Sequence, residues 1–253
     1  MIEVTEREGI AVATMRHGKA NALDIEFCTA LAERMTQLAA GPSRAIVITG
    51  QGGIFSAGVD LRRALADGPD YLRRFLPALH ALYETLFFLP KPVVAAVNGH
   101  AIAGGCVLAC CADRRVMVRE KARIGVPELQ VGVPFPHLAF EIMRFMVAPH
   151  RFEEVMLGAQ TYPPEEGEIR GLADILEAPE KVLERALAEA GRLAALPPQA
   201  FALTKRQSRR PVAASWARDG RGFEDAVTEI WMQPESLQRI RAYVERTLDR
   251  RQT

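Results

Sequence analysis

The segment from residue 93 to residue 112 constrains this chain more than any other: twenty mostly apolar residues, broken by Asn98-Gly99-His100 and again by Gly104-Gly105. Uninterrupted, a run of that length would suit a bilayer-spanning helix. The polar triplet and the paired glycines instead predict a buried strand over residues 93–97, a turn, and a helix opening near Ala103. A strand apolar at every position is covered on both faces, as in a parallel sheet flanked by helices. Such a sheet needs a large core. With 253 residues, 49% of them hydrophobic and 25% charged, the chain can build one large domain or a domain with an appendage.

The same grammar recurs along the chain. Alternation in residues 10–15 predicts a strand, and Asp24 is placed to cap a helix bearing Phe27, Leu31, Met35 and Leu38. Residues 44–49 read as a strand buried on both faces, and Ser56-Ala57-Gly58 turns the chain into a short helix. A long helix is predicted from about 70 to 88, stopped by Pro90 and Pro92, and a further strand over 115–118. Beyond Pro134 come helical periodicity over 138–157 and a short strand near 172–176. After Pro179 only helices are predicted, separated at Pro197-Pro198, Pro211 and Pro234. The resulting division is a mixed α/β core over 1–195 and a helical region over 196–253.

Composition narrows the function classes. The 32 basic and 31 acidic residues leave a formal charge of +1, so nothing favours nucleic acid as a partner. Lys205-Arg206-Gln207-Ser208-Arg209-Arg210 lacks interleaved aromatics and reads as a solvated helix face. Cys28, Cys106, Cys110 and Cys111 have no CxxC spacing and no histidine ladder, so they read as reduced, buried thiols rather than a metal site. The first six residues carry early acids and no apolar stretch, which predicts no secretory or transit segment and a cytoplasmic location.

Gly50-Gln51-Gly52-Gly53-Ile54-Phe55 invites a dinucleotide-binding reading, but that needs a third glycine at Phe55 and a helix opening directly at the turn. Neither is present. A different chemistry emerges when this region is read with its successor. Phe55-Ser56-Ala57-Gly58-Val59-Asp60-Leu61 and Ala103-Gly104-Gly105-Cys106 each put small residues at a helix N-terminus, where backbone N–H groups are unpaired and reachable. Two such starts facing one point would hold a developing oxyanion.

Together with Lys19-Ala20-Asn21-Ala22-Leu23, residues 90–99 and Pro127-Glu128-Leu129-Gln130-Val131-Gly132, these motifs resemble the crotonase (enoyl-CoA hydratase/isomerase) superfamily over nearly the whole chain. The resemblance implies a crotonase (ClpP-like) α/β fold of repeated ββα turns and a helical C-terminal region that drives assembly into a trimer or a dimer of trimers. It implies a coenzyme A thioester as substrate, with no separate cofactor and no metal. Carried over by position, the backbone N–H groups of Ala57 and Gly104 would hold the thioester oxygen. Ala20, Gly58, Val59, Asp60 and Leu61 would line the coenzyme A channel, and Val107 and Phe135 are further expected substrate-binding residues.

Hydratases of this family use two glutamates, one just after the Gly-Gly-Cys turn and one in the Pro-Glu turn. Here the first position is Val107, and only Glu128 remains. Adding water divides naturally between two carboxylates, whereas moving a double bond needs one base that removes a C2 proton and returns it at C4. Val133-Pro134-Phe135-Pro136 also puts bulky residues where hydratases have glycines. The expected activity is therefore isomerisation of 3-enoyl-CoA to 2-enoyl-CoA. A hydratase, and a family member that binds acyl-CoA with little turnover, are the alternatives. His100 and His137 are the other titratable residues near these turns.

Overall fold

The structure is a computed structural model and describes residues 1–249, so the last four residues of the expected 196–253 region lie outside the described residues. The chain opens with a hairpin that the residue pattern does not predict. β1 (Ile2–Arg7) pairs antiparallel with β2 (Ile10–Met15) across Glu8-Gly9, both in left-handed backbone at φ 53° and 76°. α1 (Ile25–Ala40) follows, its first turn capped by the Asp24 carboxylate, which accepts from Phe27 N–H at 2.7 Å.

Three successive units then repeat one pattern, a longer strand, a short strand and a helix. The first is β3 (Ala45–Thr49), β4 (Ile54–Ser56) and α2 (Leu61–Phe87). The second is β5 (Val93–Val97), β6 (His100–Ile102) and α3 (Gly104–Cys110). The third is β7 (Arg114–Val118), β8 (Ile124–Gly125) and the single turn α4 (Glu128–Val131). After them come α5 (His137–Met146), α6 (Phe152–Gly158), β9 (Thr161–Tyr162), α7 (Pro164–Ile169), β10 (Ile175–Glu177) and α8 (Val182–Ala194). The chain closes with α9 (Pro198–Met232), α10 (Pro234–Val244) and a π-helical turn at Glu245–Asp249.

Each unit contributes one strand to each of two sheets. The larger has the order β1-β2-β3-β5-β7-β10 and the smaller β4-β6-β8-β9. β3, β5 and β7 run parallel in register, Ile46 beside Val93 and Ala96 beside Val116. β3 and β5 are buried at every position because α8 packs across them. This is the ββα repeat, and it brings the starts of α2, α3 and α4 to the same end of the parallel strands.

Some expectations need correction. Pro211 does not separate helices but lies inside the continuous α9. The periodic stretch 138–157 is two helices, because the chain breaks at Val147 and Pro149. Gly68, non-helical at φ 68°, and Pro69 divide α2 into the short and long helices expected. The arginine-rich stretch is only partly a solvated face. Lys205 and Arg209, one turn apart on α9, are 7% and 3% exposed. Both reach Asp113 at 2.7 Å, and Asp113 also accepts the Val93 N–H. This trio ties the helical region to the starts of β5 and β7. Burial pulls the Lys205 ammonium down to about 8. All four cysteines are buried and free, and among the described residues no helix is long and apolar enough to cross a membrane.

Candidate active site

The turn after β4 is tied to the Lys19–Leu23 segment by side-chain and backbone hydrogen bonds. Asn21 donates to Phe55 O at 3.1 Å, and the Ser56 hydroxyl donates to Asn21 O at 2.8 Å. Leu23 pairs with the strand-like backbone on either side of Val59, donating to Gly58 O and accepting from Asp60 N–H. These bonds decide which N–H groups remain for a ligand. Ala57 N–H donates to Ala20 O at 3.0 Å and Gly58 N–H to Ser56 Oγ at 3.2 Å. The Val59 N–H has no acceptor among the described residues. The expected donor, Ala57, is thus already bonded to the upstream segment, and Val59 presents the open N–H.

The second turn presses against the first. A Cβ on Gly58, whose φ is +82°, would stand 2.6 Å from Ile102 O and 3.1 Å from the Gly104 nitrogen. No side chain fits there. Gly58 does not line the cavity described below and sits between the two turns. Ala103, at φ 53° and ψ −129°, holds a backbone conformation that non-glycine residues rarely adopt. That kink swings the chain from β6 into α3, leaving the first helical N–H, on Gly104, without an acceptor among the described residues. Beneath it the Tyr83 hydroxyl donates to Gly104 O at 2.9 Å, fixing the turn from α2.

Glu128 begins α4 immediately after Pro127. Its carbonyl accepts from Gly132 and Val133 N–H groups, which closes the turn, and Gly132 (φ 93°) lies directly against the Arg239 side chain of α10. The carboxyl group is buried, 9% exposed, and Oε2 has no hydrogen-bond partner among the described residues. Burial pushes its pKa up to about 8, partly opposed by a bond from its own backbone N–H.

These groups share one cavity of about 590 Å³. Of the expected residues, Ala20, Ala57, Val59, Asp60, Leu61, Gly104, Val107, Glu128 and Phe135 line it. Asp60 is the other acid in its wall, and its carboxylate accepts from Arg63 N–H at 3.0 Å, capping α2. Val107 lines the cavity and is 1% exposed. His100 lies on the wall with Nδ1 accepting from Arg123 N–H at 3.1 Å. His137 does not line the cavity. Its ring stacks on Phe223 of α9 at 4.9 Å, with Nε2 3.3 Å from Ser215 Oγ. Sequence reasoning missed Tyr83, Trp231 and Tyr243, which also line the cavity. Tyr83 falls on the apolar stripe of α2, a signal of burial alone, and the other two come from the region expected only to drive assembly.

The enoyl-CoA hydratase/isomerase family model matches residues 5–250. A Thermus thermophilus protein provisionally named enoyl-CoA hydratase is 32% identical over 97% of this chain and 98% of its own. Human mitochondrial enoyl-CoA delta isomerase 1 is 28% identical over 85% of this chain and 72% of its own. The crystal structure of human mitochondrial delta3-delta2-enoyl-CoA isomerase superposes with a TM-score of 0.93 at 25% identity, covering 98% of both chains. With the ββα repeat, the paired turns and the buried glutamate in place, the chain belongs to the enoyl-CoA hydratase/isomerase family.

Proposed function

We propose that this enzyme isomerises 3-enoyl-CoA to 2-enoyl-CoA with Glu128 as its single base. The observation that carries the reading is the lone buried carboxyl group with an open Oε2, in a cavity whose other acid, Asp60, is engaged as a helix cap. In this reading the thioester oxygen sits between the N–H groups of Val59 and Gly104. Ala57 shapes the turn by bonding Ala20.

The Glu128 carboxylate takes a proton from C2, and the C–H electron pair passes through C2 to the thioester oxygen, forming a dienolate. The two N–H groups hold the negative charge as it develops. The dienolate then collapses back to the carbonyl, the double bond forms between C2 and C3, and the protonated Glu128 delivers its proton to C4. The carboxylate is regenerated and no cofactor enters the balance. Tyr83 acts as a positioning residue, since its hydroxyl fixes the peptide that carries one of the donors. Val107 keeps its part of the cavity wall apolar, which disfavours water as a competing nucleophile.

The name of the Thermus thermophilus relative favours hydration as the second reading. An assay of the purified protein with 3-enoyl-CoA and 2-enoyl-CoA, following both double-bond migration and water addition, separates the two. Migration should be much the faster. Fast, stereospecific hydration with slow migration refutes the proposal, and binding without either reaction would favour an acyl-CoA-binding homologue. We also propose a homotrimer or a dimer of trimers, tested by light scattering of the purified protein.

A further inference from the structure

We propose that Trp231 is the end wall of the acyl channel and sets the length of acyl chain the enzyme accepts, an inference that rests on the thioester reading above. The cavity changes character across its lining. Asp60, Arg62, Arg63 and Arg123 are charged residues of the lining, and the arginines suit the phosphates of coenzyme A. Leu79, Val107, Val131, Val133, Ala139 and Trp231 form an apolar portion of the wall. Leu79, Val107, Val133, Ala139 and Trp231 are each 1–2% exposed, and Val131 is 5% exposed. On the proposed path the acyl group runs along these side chains toward Trp231.

Trp231 is the largest of these side chains and is fixed in place. It arrives from the last turn of α9, and its indole N–H donates to Pro134 O at 3.1 Å. Pro134 and Pro136 flank Phe135, so the acceptor belongs to a stretch whose φ angles are constrained by two proline rings. Swinging the indole aside would strand a buried N–H and its carbonyl partner. Among the described residues no methionine lines the cavity, so the wall lacks the side chain that most readily reshapes to an incoming group. A chain that outgrows the channel therefore meets a rigid surface, and the structure favours short and medium acyl groups.

The test compares wild type, Trp231→Leu and Trp231→Ala over 3-enoyl-CoA thioesters from hexenoyl to hexadecenoyl, measuring kcat/KM for each. The expected result is a wild-type decline with length that moves to longer chains as the indole is truncated. The ratio of dodecenoyl to hexenoyl kcat/KM should rise by about tenfold or more, the scale on which a few methylenes count in an apolar pocket. A uniform loss at every length, with the order unchanged, overturns the proposal. If the alanine variant does not fold, the leucine variant, which keeps much of the packing, decides the question. Calorimetric binding of saturated acyl-CoA thioesters of the same lengths supplies a readout free of the reaction. A shift in binding order without isomerisation by wild type would sink the proposed reaction and keep the wall. Isomerisation with no shift in either series would do the reverse.

Discussion

Replacing Glu128 with glutamine tests the centre of the mechanism, because the structure links one group to both rate and stability. The carboxyl titrates at about 8 instead of 4.5 because it is buried. The free enzyme holds it mostly protonated at neutral pH, so kcat/KM should climb about tenfold per pH unit below 8 and level off above. Glu128→Gln should flatten that profile and lower turnover on the order of a thousandfold. The stability consequence has a definite sign. Between pH 4.5 and 8 the unfolded chain loses this proton while the folded chain keeps it, so stability falls as pH rises through that window. The full displacement corresponds to roughly 5 kcal/mol. Glu128→Gln, which has no charge to bury, should match wild type near pH 5 and exceed it by several kcal/mol above pH 8. Urea unfolding at both pH values, beside the kinetic profile, measures this. A wild-type rate flat from pH 6 to 8, or a glutamine variant that keeps most of its activity, would refute the reasoning and direct attention to His100.

Val59→Pro removes an N–H that bonds nothing among the described residues, so it should cost about a hundredfold to a thousandfold in kcat; turnover at the wild-type rate by a folded variant, judged by circular dichroism, excludes Val59 as a donor. Asp113→Ala leaves Lys205 and Arg209 buried without their shared carboxylate and should cost about 3–5 kcal/mol, a fall in Tm on the order of 10 °C by calorimetry. Val107→Glu should raise water addition to 2-enoyl-CoA only modestly, since Phe135 and Pro136 still line that region, and a rate rising to match isomerisation would show that residue 107 alone decides the reaction.

The parts of the fold legible in the sequence are those where one local signal dominates. β5 is readable because its five residues are all apolar and all buried, and α1 because Asp24 both precedes the periodic run and caps it. β4, β6 and β8 are not, since strands of two or three residues carry no periodicity and exist only through pairing with each other. Pro211 misleads for a related reason. A proline breaks an isolated helix, but α9 is held on both sides of it by buried contacts, Lys205 and Arg209 before and Val212 after, and the surrounding packing outweighs one lost bond. The same packing explains why Lys205 and Arg209 face inward. Their shared partner, Asp113, is remote in sequence and gives no local sign of the pairing.

The site shows the same division between residue type and partner. Small residues at Ser56-Ala57-Gly58 identify a tight turn, yet which N–H stays open depends on Ala20 and Leu23, two upstream residues whose carbonyl oxygens accept from Ala57 and Asp60. Those two acceptors bracket Val59, so the donor is chosen by what the turn leaves over. Glycine is legible at Gly58 and Gly104, but it means different things at the two. At Gly58 it lets the turns touch, while at Gly104 a side chain would strike the Tyr83 hydroxyl at 2.7 Å and displace the group that steadies the donor. A proline at Gly104 would therefore remove the N–H and disturb its support together, whereas one at Val59 spares that contact. The cleaner test of the oxyanion site lies at the residue whose role only the backbone bonds reveal.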